Sequence, residues 1–200
     1  MIVELAPVLE ALLLAADKPL SVERLDQLFD EHDGVDRKRI KNTLRKLQQS
    51  YKGRGYELVE VASGFRFQVH QGYALWVARL LQEKPQKYSR ALLETLSIIA
   101  YQQPITRGEI EAIRGVGVSS PIIHTLIERC WIRSVGHKEV PGRPELFATT
   151  KDFLDHFNLK QLSDLPALDE LEFWDEATMA SAKLKQPQQQ EIEVLTESMH

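Results

Sequence analysis

Residues 92–159 read LLETLSIIAYQQPITRGEIEAIRGVGVSSPIIHTLIERCWIRSVGHKEVPGRPELFATTKDFLDHFNL. Leu92, Leu93, Leu96, Ile99 and Ala100 recur at near-helical spacing and form one wide apolar stripe, which predicts a helix that buries a face. Gln103-Pro104 ends it, because the residue before a proline is pushed out of the α region. Thr106 stands three residues before Glu109, the capping-box spacing, so a second helix starts there with Ile110 and Ile113 inward. Gly115 and Gly117 suit the reversal that follows. Ser119 or Ser120 caps a third helix, Pro121 fits its first turn, and Ile123, Leu126 and Ile127 supply its buried face. Residues 131–135 and 146–149 read as strands around Pro141-Gly142-Arg143-Pro144, a rigid turn signal. A closing helix over 150–157 folds Phe153, Leu154 and Phe157 back onto the core. Three helices followed by a hairpin is the winged-helix arrangement.

Residues 1–70 repeat this layout. Leu9, Glu10, Leu12 and Ala16 correspond to Leu93, Glu94, Leu96 and Ala100, an offset of 84, while Pro19-Leu20-Ser21 corresponds to Pro104-Ile105-Thr106, an offset of 85. Leu25 and Leu28 then fall opposite Ile110 and Ile113. A repeat this long implies two copies of one domain type. The third helix of the first copy spans 36–51, with Asp36 as N-cap and Ile40, Leu44 and Leu47 inward. Strands over 56–62 and 65–70 join at Ser63-Gly64, read as a two-residue turn. A connecting helix follows over 72–82, and residues 83–87 mark the boundary. The fold class is therefore α+β, mainly α with small hairpins. It divides into a winged-helix domain at 1–84, a second at 88–160, and an acidic tail at 161–200.

From Asp152 to His200 eleven Asp and Glu face three Lys. A segment this charged cannot bury enough surface to offset its ordering entropy, so most of the tail is expected to be flexible. Leu168, Leu171, Phe173 and Trp174 form an apolar cluster within it, either a locally packed segment or a docking peptide. An apolar content of 43% beside 27% charged residues places the chain among globular proteins. No apolar run approaches the ~18 residues that a membrane span needs. Glu4 and Glu10 argue against a secretory leader. With a single cysteine, no internal disulfide forms, and the expected compartment is the cytoplasm.

Few residues promise chemistry. Cys130, beside Trp131 at a helix end, reads as a buried structural thiol rather than a nucleophile. The six histidines are scattered, with no metal-ligand spacing. Gly115-Val116-Gly117 lacks the preceding strand and following GK[ST] of a phosphate loop. No catalytic set, metal or cofactor is expected. The basic candidate is DRKRIKNTLRKLQQSYKGR at 36–54, with eight Lys and Arg against one Asp. Lys38, Lys41, Arg45 and Lys46 there would contact DNA if this helix entered a groove, or else form a solvated or dimer-flanking face. The net charge of −4 opposes wholesale coating of DNA.

The run from Arg107 to Ile132, above all Glu109-Ile110-Glu111-Ala112-Ile113-Arg114-Gly115, with Pro141-Gly142-Arg143-Pro144 and Phe153-Leu154 with Phe157, resembles the segregation and condensation protein B (ScpB) family. The resemblance implies a non-enzymatic adaptor of a condensin-like Smc–kleisin complex, acting in chromosome condensation and segregation and nucleoid-associated through that complex. It implies pairing through the N-terminal domain and docking of the kleisin ScpA, and through it Smc, on the C-terminal domain. DNA contact would then be indirect. Ile110, Arg114, Ile122 and Arg143 are the candidate kleisin contacts, with Ile113 and Ile123 nearby but favoured as core. The alternative is a winged-helix transcription regulator.

Overall fold

A computed structural model describes residues 4–82 and 88–167. Helix α1 (Leu5–Ala15) buries Leu5, Leu9 and Leu13, one residue per turn, against α2 (Val22–Asp26) and α3 (Arg37–Ser50). Ser21 caps α2 by accepting the Arg24 amide, and Asp36 caps α3 by accepting that of Arg39 at 2.6 Å, so each helix begins with a donor satisfied. Strands β1 (Tyr56–Val61) and β2 (Gly64–Val69) then form an antiparallel hairpin whose Leu58 and Phe65 close the same core. The Tyr51 hydroxyl, at the end of α3, donates to Glu10 at 2.8 Å, and this bond with burial pushes its pKa up to about 12.

Helix α4 (Ala74–Leu81) follows a short 3-10 turn and has no buried residue. The second copy comprises α5 (Arg90–Gln102), a two-residue strand β3 (Ile105–Thr106), α6 (Arg107–Arg114), α7 (Ser120–Glu128), β4 (Ile132–His137), β5 (Glu145–Thr149) and α8 (Lys151–His156). Its sheet has the antiparallel order β3-β5-β4. The mixed-class expectation holds, and residues up to Leu162 form one compact unit. A second begins at Ser163, and the apolar cluster at Leu168, Leu171, Phe173 and Trp174, most of the acidic tail and the 83–87 boundary lie outside the described residues.

Several expectations need correction. Buried Leu5, Leu9 and Leu13 match buried Leu92, Leu96 and Ala100, an offset of 87, so the first copy has the longer turn rather than the second. Leu93 is exposed accordingly. Ile113 and Ile127 lie 57% and 41% exposed, to the side of the faces that α6 and α7 bury through Ile110 and through Ile123 and Leu126. Cys130 is exposed, not buried: it follows α7 in a left-handed conformation (φ 57°), where its amide and that of Trp131 bond back to Ile127 and Leu126. The first hairpin turns at Ala62-Ser63, since Gly64 already pairs with Val61. Gly64 is required there (φ 139°): a Cβ would stand 2.2 Å from the Leu20 carbonyl oxygen, where Leu20 bridges Phe65.

That turn is held by α8. The Ala62 amide donates to the Leu159 carbonyl at 3.0 Å and the Ser63 amide to the Asp155 carboxylate at 2.9 Å. Arg66 donates to the Asp155 carbonyl and the Asn158 side chain, and Lys160 pairs with Glu60. A polar cleft of about 380 Å³ borders this seam. In it His156 packs at a tilt against Trp131, ring centroids 4.6 Å apart, and burial, with the nearby Arg129 and Arg66 charges, lowers its pKa.

Candidate partner-docking site

Helix α6 begins with the capping box read from the sequence: the Thr106 hydroxyl accepts the Glu109 amide, and the Glu109 carboxylate accepts the Thr106 amide at 2.9 Å. The same carboxylate takes a 2.5 Å bond from Lys138, just after β4, tying the second hairpin to α6. Lys138 and the two Thr106 donors together hold the Glu109 pKa at about 2. Two residues on, Glu111 accepts the Val118 amide at 2.9 Å and Arg107 Nε at 3.0 Å, and both bonds lower its pKa. Arg107 also reaches the Ser120 hydroxyl at 3.1 Å and the Val118 carbonyl. Two side chains thus fix the loop between α6 and α7, and Val118 plugs the core beneath it.

This bracing positions a groove of about 660 Å³ between α7, β5 and the start of α6. Ile123 and Ile127 line it one helical turn apart, with Pro121 from the first turn of α7 and Phe147 and Pro144 from and before β5. Arg107, His124 and Glu145 supply polar edges. His124 is paired with Glu128 at 3.2 Å, so its charged form has a partner when it is protonated. The surface is mostly apolar and open at one side, suited to an amphipathic or extended segment of another chain.

The four residues expected to contact a kleisin are not gathered in it. Ile110 is fully buried (0% exposed) and so is committed to the core. The Arg114 guanidinium, 8% exposed, lies against Glu94 at 3.2 Å, with its Nε buried without a partner. Ile122 is half-buried outside the groove lining. Arg143 is exposed in the β4–β5 turn with φ 37°. Sequence reasoning took Ile127 for core and missed Phe147 and Arg107 as groove residues, although the i, i+4 pairing of Ile123 with Ile127 was a usable signal. Lys38, Lys41, Arg45 and Lys46 are all exposed along α3. Among the described residues no group of three His, Cys, Asp or Glu is placed to hold a metal ion. No helix among them is long and apolar enough to cross a membrane.

The model of the family described as "Segregation and condensation complex subunit ScpB" matches residues 7–168. The chain belongs to the ScpB family. A "Segregation and condensation protein B homolog" of Coxiella burnetii is 55% identical to it over 164 residues, 82% of this chain and 78% of the relative. A crystal structure of ScpB from Mycobacterium tuberculosis is 34% identical, covering 78% of this chain and 96% of that one, with a TM-score of 0.36. A dimer of a ScpB N-terminal domain complexed with ScpA peptide is 26% identical over 38% of this chain and 93% of that one, with a TM-score of 0.34. The family assignment rests on the sequence matches. A ScpB family description of complex subunits disfavours the transcription-regulator alternative.

Proposed function

We propose that this ScpB-family chain is a non-enzymatic cytoplasmic adaptor of a condensin-like Smc–kleisin complex, acting in chromosome condensation and segregation. In this reading residues 1–84 and 88–160 are two winged helices used for protein docking rather than for catalysis, and 161–200 is an acidic tail in composition. The observation that carries it is the apolar groove of Ile123, Ile127, Pro121 and Phe147, braced from beneath by Arg107 and Glu111, in a subunit family defined by its complex. The proposed occupant is an amphipathic segment of the kleisin ScpA, which would in turn reach Smc. Arg143 and Ile122, near the groove in sequence but outside it in space, are secondary contacts at most in this scheme.

A second copy of the chain is the proposed partner of α4. Tyr73, Leu75, Trp76, Leu80 and Leu81 are exposed there, Trp76 and Leu80 by 63% and 80%. Such an apolar patch favours an isologous pairing in which the same helix faces itself. The test of the docking half of the proposal is capture on an immobilised central fragment of the kleisin. The unchanged chain is expected to be retained and Ile127→Glu, still folded by circular dichroism, to be washed off. Equal retention of the two would overturn the groove as the docking site.

A further inference from the structure

We infer that the exposed face of α3 contacts the phosphate backbone of duplex DNA directly and without sequence preference. The helix carries Arg37, Lys38, Arg39, Lys41, Arg45 and Lys46 and no acidic residue. At 3.6 residues per turn, Lys38, Lys41, Arg45 and Lys46 fall within an arc of about 140°, opposite the buried Ile40, Leu44 and Leu47. Arg37 is neutralised by Asp26 at 2.7 Å, and Arg39 bonds the Gly34 carbonyl at 2.8 Å. Lys41 acts on the Glu23 carboxylate only through space, with no ion pair between them, and Lys38, Arg45 and Lys46 have no carboxylate partner among the described residues.

An ordinary solvated helix in this chain looks different. Arg90–Glu94, Arg107–Glu111 and His124–Glu128 are each paired one turn apart. On α3 the one-turn neighbours Lys41 and Arg45 are both cationic, an arrangement that is unfavourable in an isolated helix. A polyanion reverses that sign. Its chemistry is further narrowed by what the face lacks: no large apolar side chain of α3 is exposed. A protein partner would be expected to need such an anchor, whereas Lys, Arg and the interleaved Asn42 and Gln49 suit phosphate oxygens.

The absence of sequence reading follows from the seam described above. A hairpin beside such a helix adds groove contacts only if its tip is free, and here the Ala62 and Ser63 amides and Arg66 are all engaged by α8 and the residues after it. The helix therefore meets DNA alone, and counterion release supplies the affinity. With four phosphates neutralised, the slope of log K against log salt is about −3.6, roughly a 150-fold loss between 50 and 200 mM salt.

The test is fluorescence anisotropy of a labelled mixed-sequence duplex titrated with the full chain at several salt concentrations. The expected result is binding at 50 mM salt with that slope, indifferent to sequence. The combined change Lys38→Gln, Lys41→Gln, Arg45→Gln and Lys46→Gln is expected to weaken binding at least tenfold and flatten the slope, with circular dichroism and melting temperature showing the fold retained. Arg133→Gln with Lys151→Gln, two exposed cations of the second copy, is expected to do neither. No salt-dependent binding by the unchanged chain, tighter binding to a single strand than to the duplex, or full affinity in the four-fold variant would each overturn the inference. None of these outcomes depends on the groove holding a kleisin.

Discussion

Ile110 and Ile127 lie on neighbouring helices and look alike in sequence, yet one is committed to the core and the other borders the groove. Truncating each to alanine separates stability from docking. Ile110 is fully buried, and removing a buried isoleucine beyond Cβ costs about 2–5 kcal/mol, transfer loss plus residual cavity. At about 2–4 °C per kcal/mol for a chain of this size, Ile110→Ala is expected to melt roughly 4–20 °C lower. Ile127 keeps 41% of its surface in water, so Ile127→Ala gives up only part of the burial term, about 1 kcal/mol and a few degrees. Docking inverts the order. An apolar anchor at the centre of a groove is worth more than 1 kcal/mol, so Ile127→Ala should weaken kleisin binding about 5- to 10-fold. Ile110→Ala should bind normally once its folded fraction is accounted for. Urea melts and a titration of labelled kleisin fragment on the same preparations decide it. The reasoning is refuted if Ile110→Ala melts with the unchanged chain, or if Ile127→Ala binds as tightly as it.

Further outcomes follow from single contacts. Gly64→Ala forces a Cβ to within 2.2–2.5 Å of backbone atoms of Leu20 and Ser21 at φ 139°; strain and the disrupted Leu20–Phe65 bridge should cost about 3–5 kcal/mol by thermal melting, whereas Gly108→Ala, inside α6 with open space around it, should stabilise slightly. Glu109 has a folded pKa of about 2 against an ordinary 4.5, so its contribution is complete above about pH 4.5 and is lost as pH falls towards 2. Acid melts of Glu109→Gln should accordingly fall less steeply across that window than those of the unchanged chain. Asp155→Ala leaves the Ser63 amide without its acceptor, a loss of about 1–3 kcal/mol that hydrogen exchange should report as faster exchange at Ser63.

Much of the fold was legible because helix faces announce themselves by period. Ile40, Leu44 and Leu47 were read as inward and are buried, and the Thr106–Glu109 box starts α6 as its spacing required. What failed was decided by tertiary geometry. The two-residue strand Ile105–Thr106 and the Leu20 bridge are too short to leave a period, so the third strand of the β3-β5-β4 sheet was not foreseen. Gly64 looked like a turn residue, and only the approach of Leu20 shows that its lack of a side chain serves close packing. Cys130 was assigned to the end of a helix, yet it sits two positions beyond, where the chain turns left-handed and the residue is exposed. In the candidate site the choice between core and surface for the α6 and α7 isoleucines rested on one turn of helix, too fine a distinction for periodicity over eight or nine residues.

Light scattering across a size-exclusion column, with the chain alone and then mixed with a central kleisin fragment, bears on the whole scheme at once. The adaptor reading expects a particle of twice the 22.9 kDa chain mass on its own and a heavier, stable complex when the kleisin is present. A 22.9 kDa particle that elutes unchanged with kleisin added would contradict it.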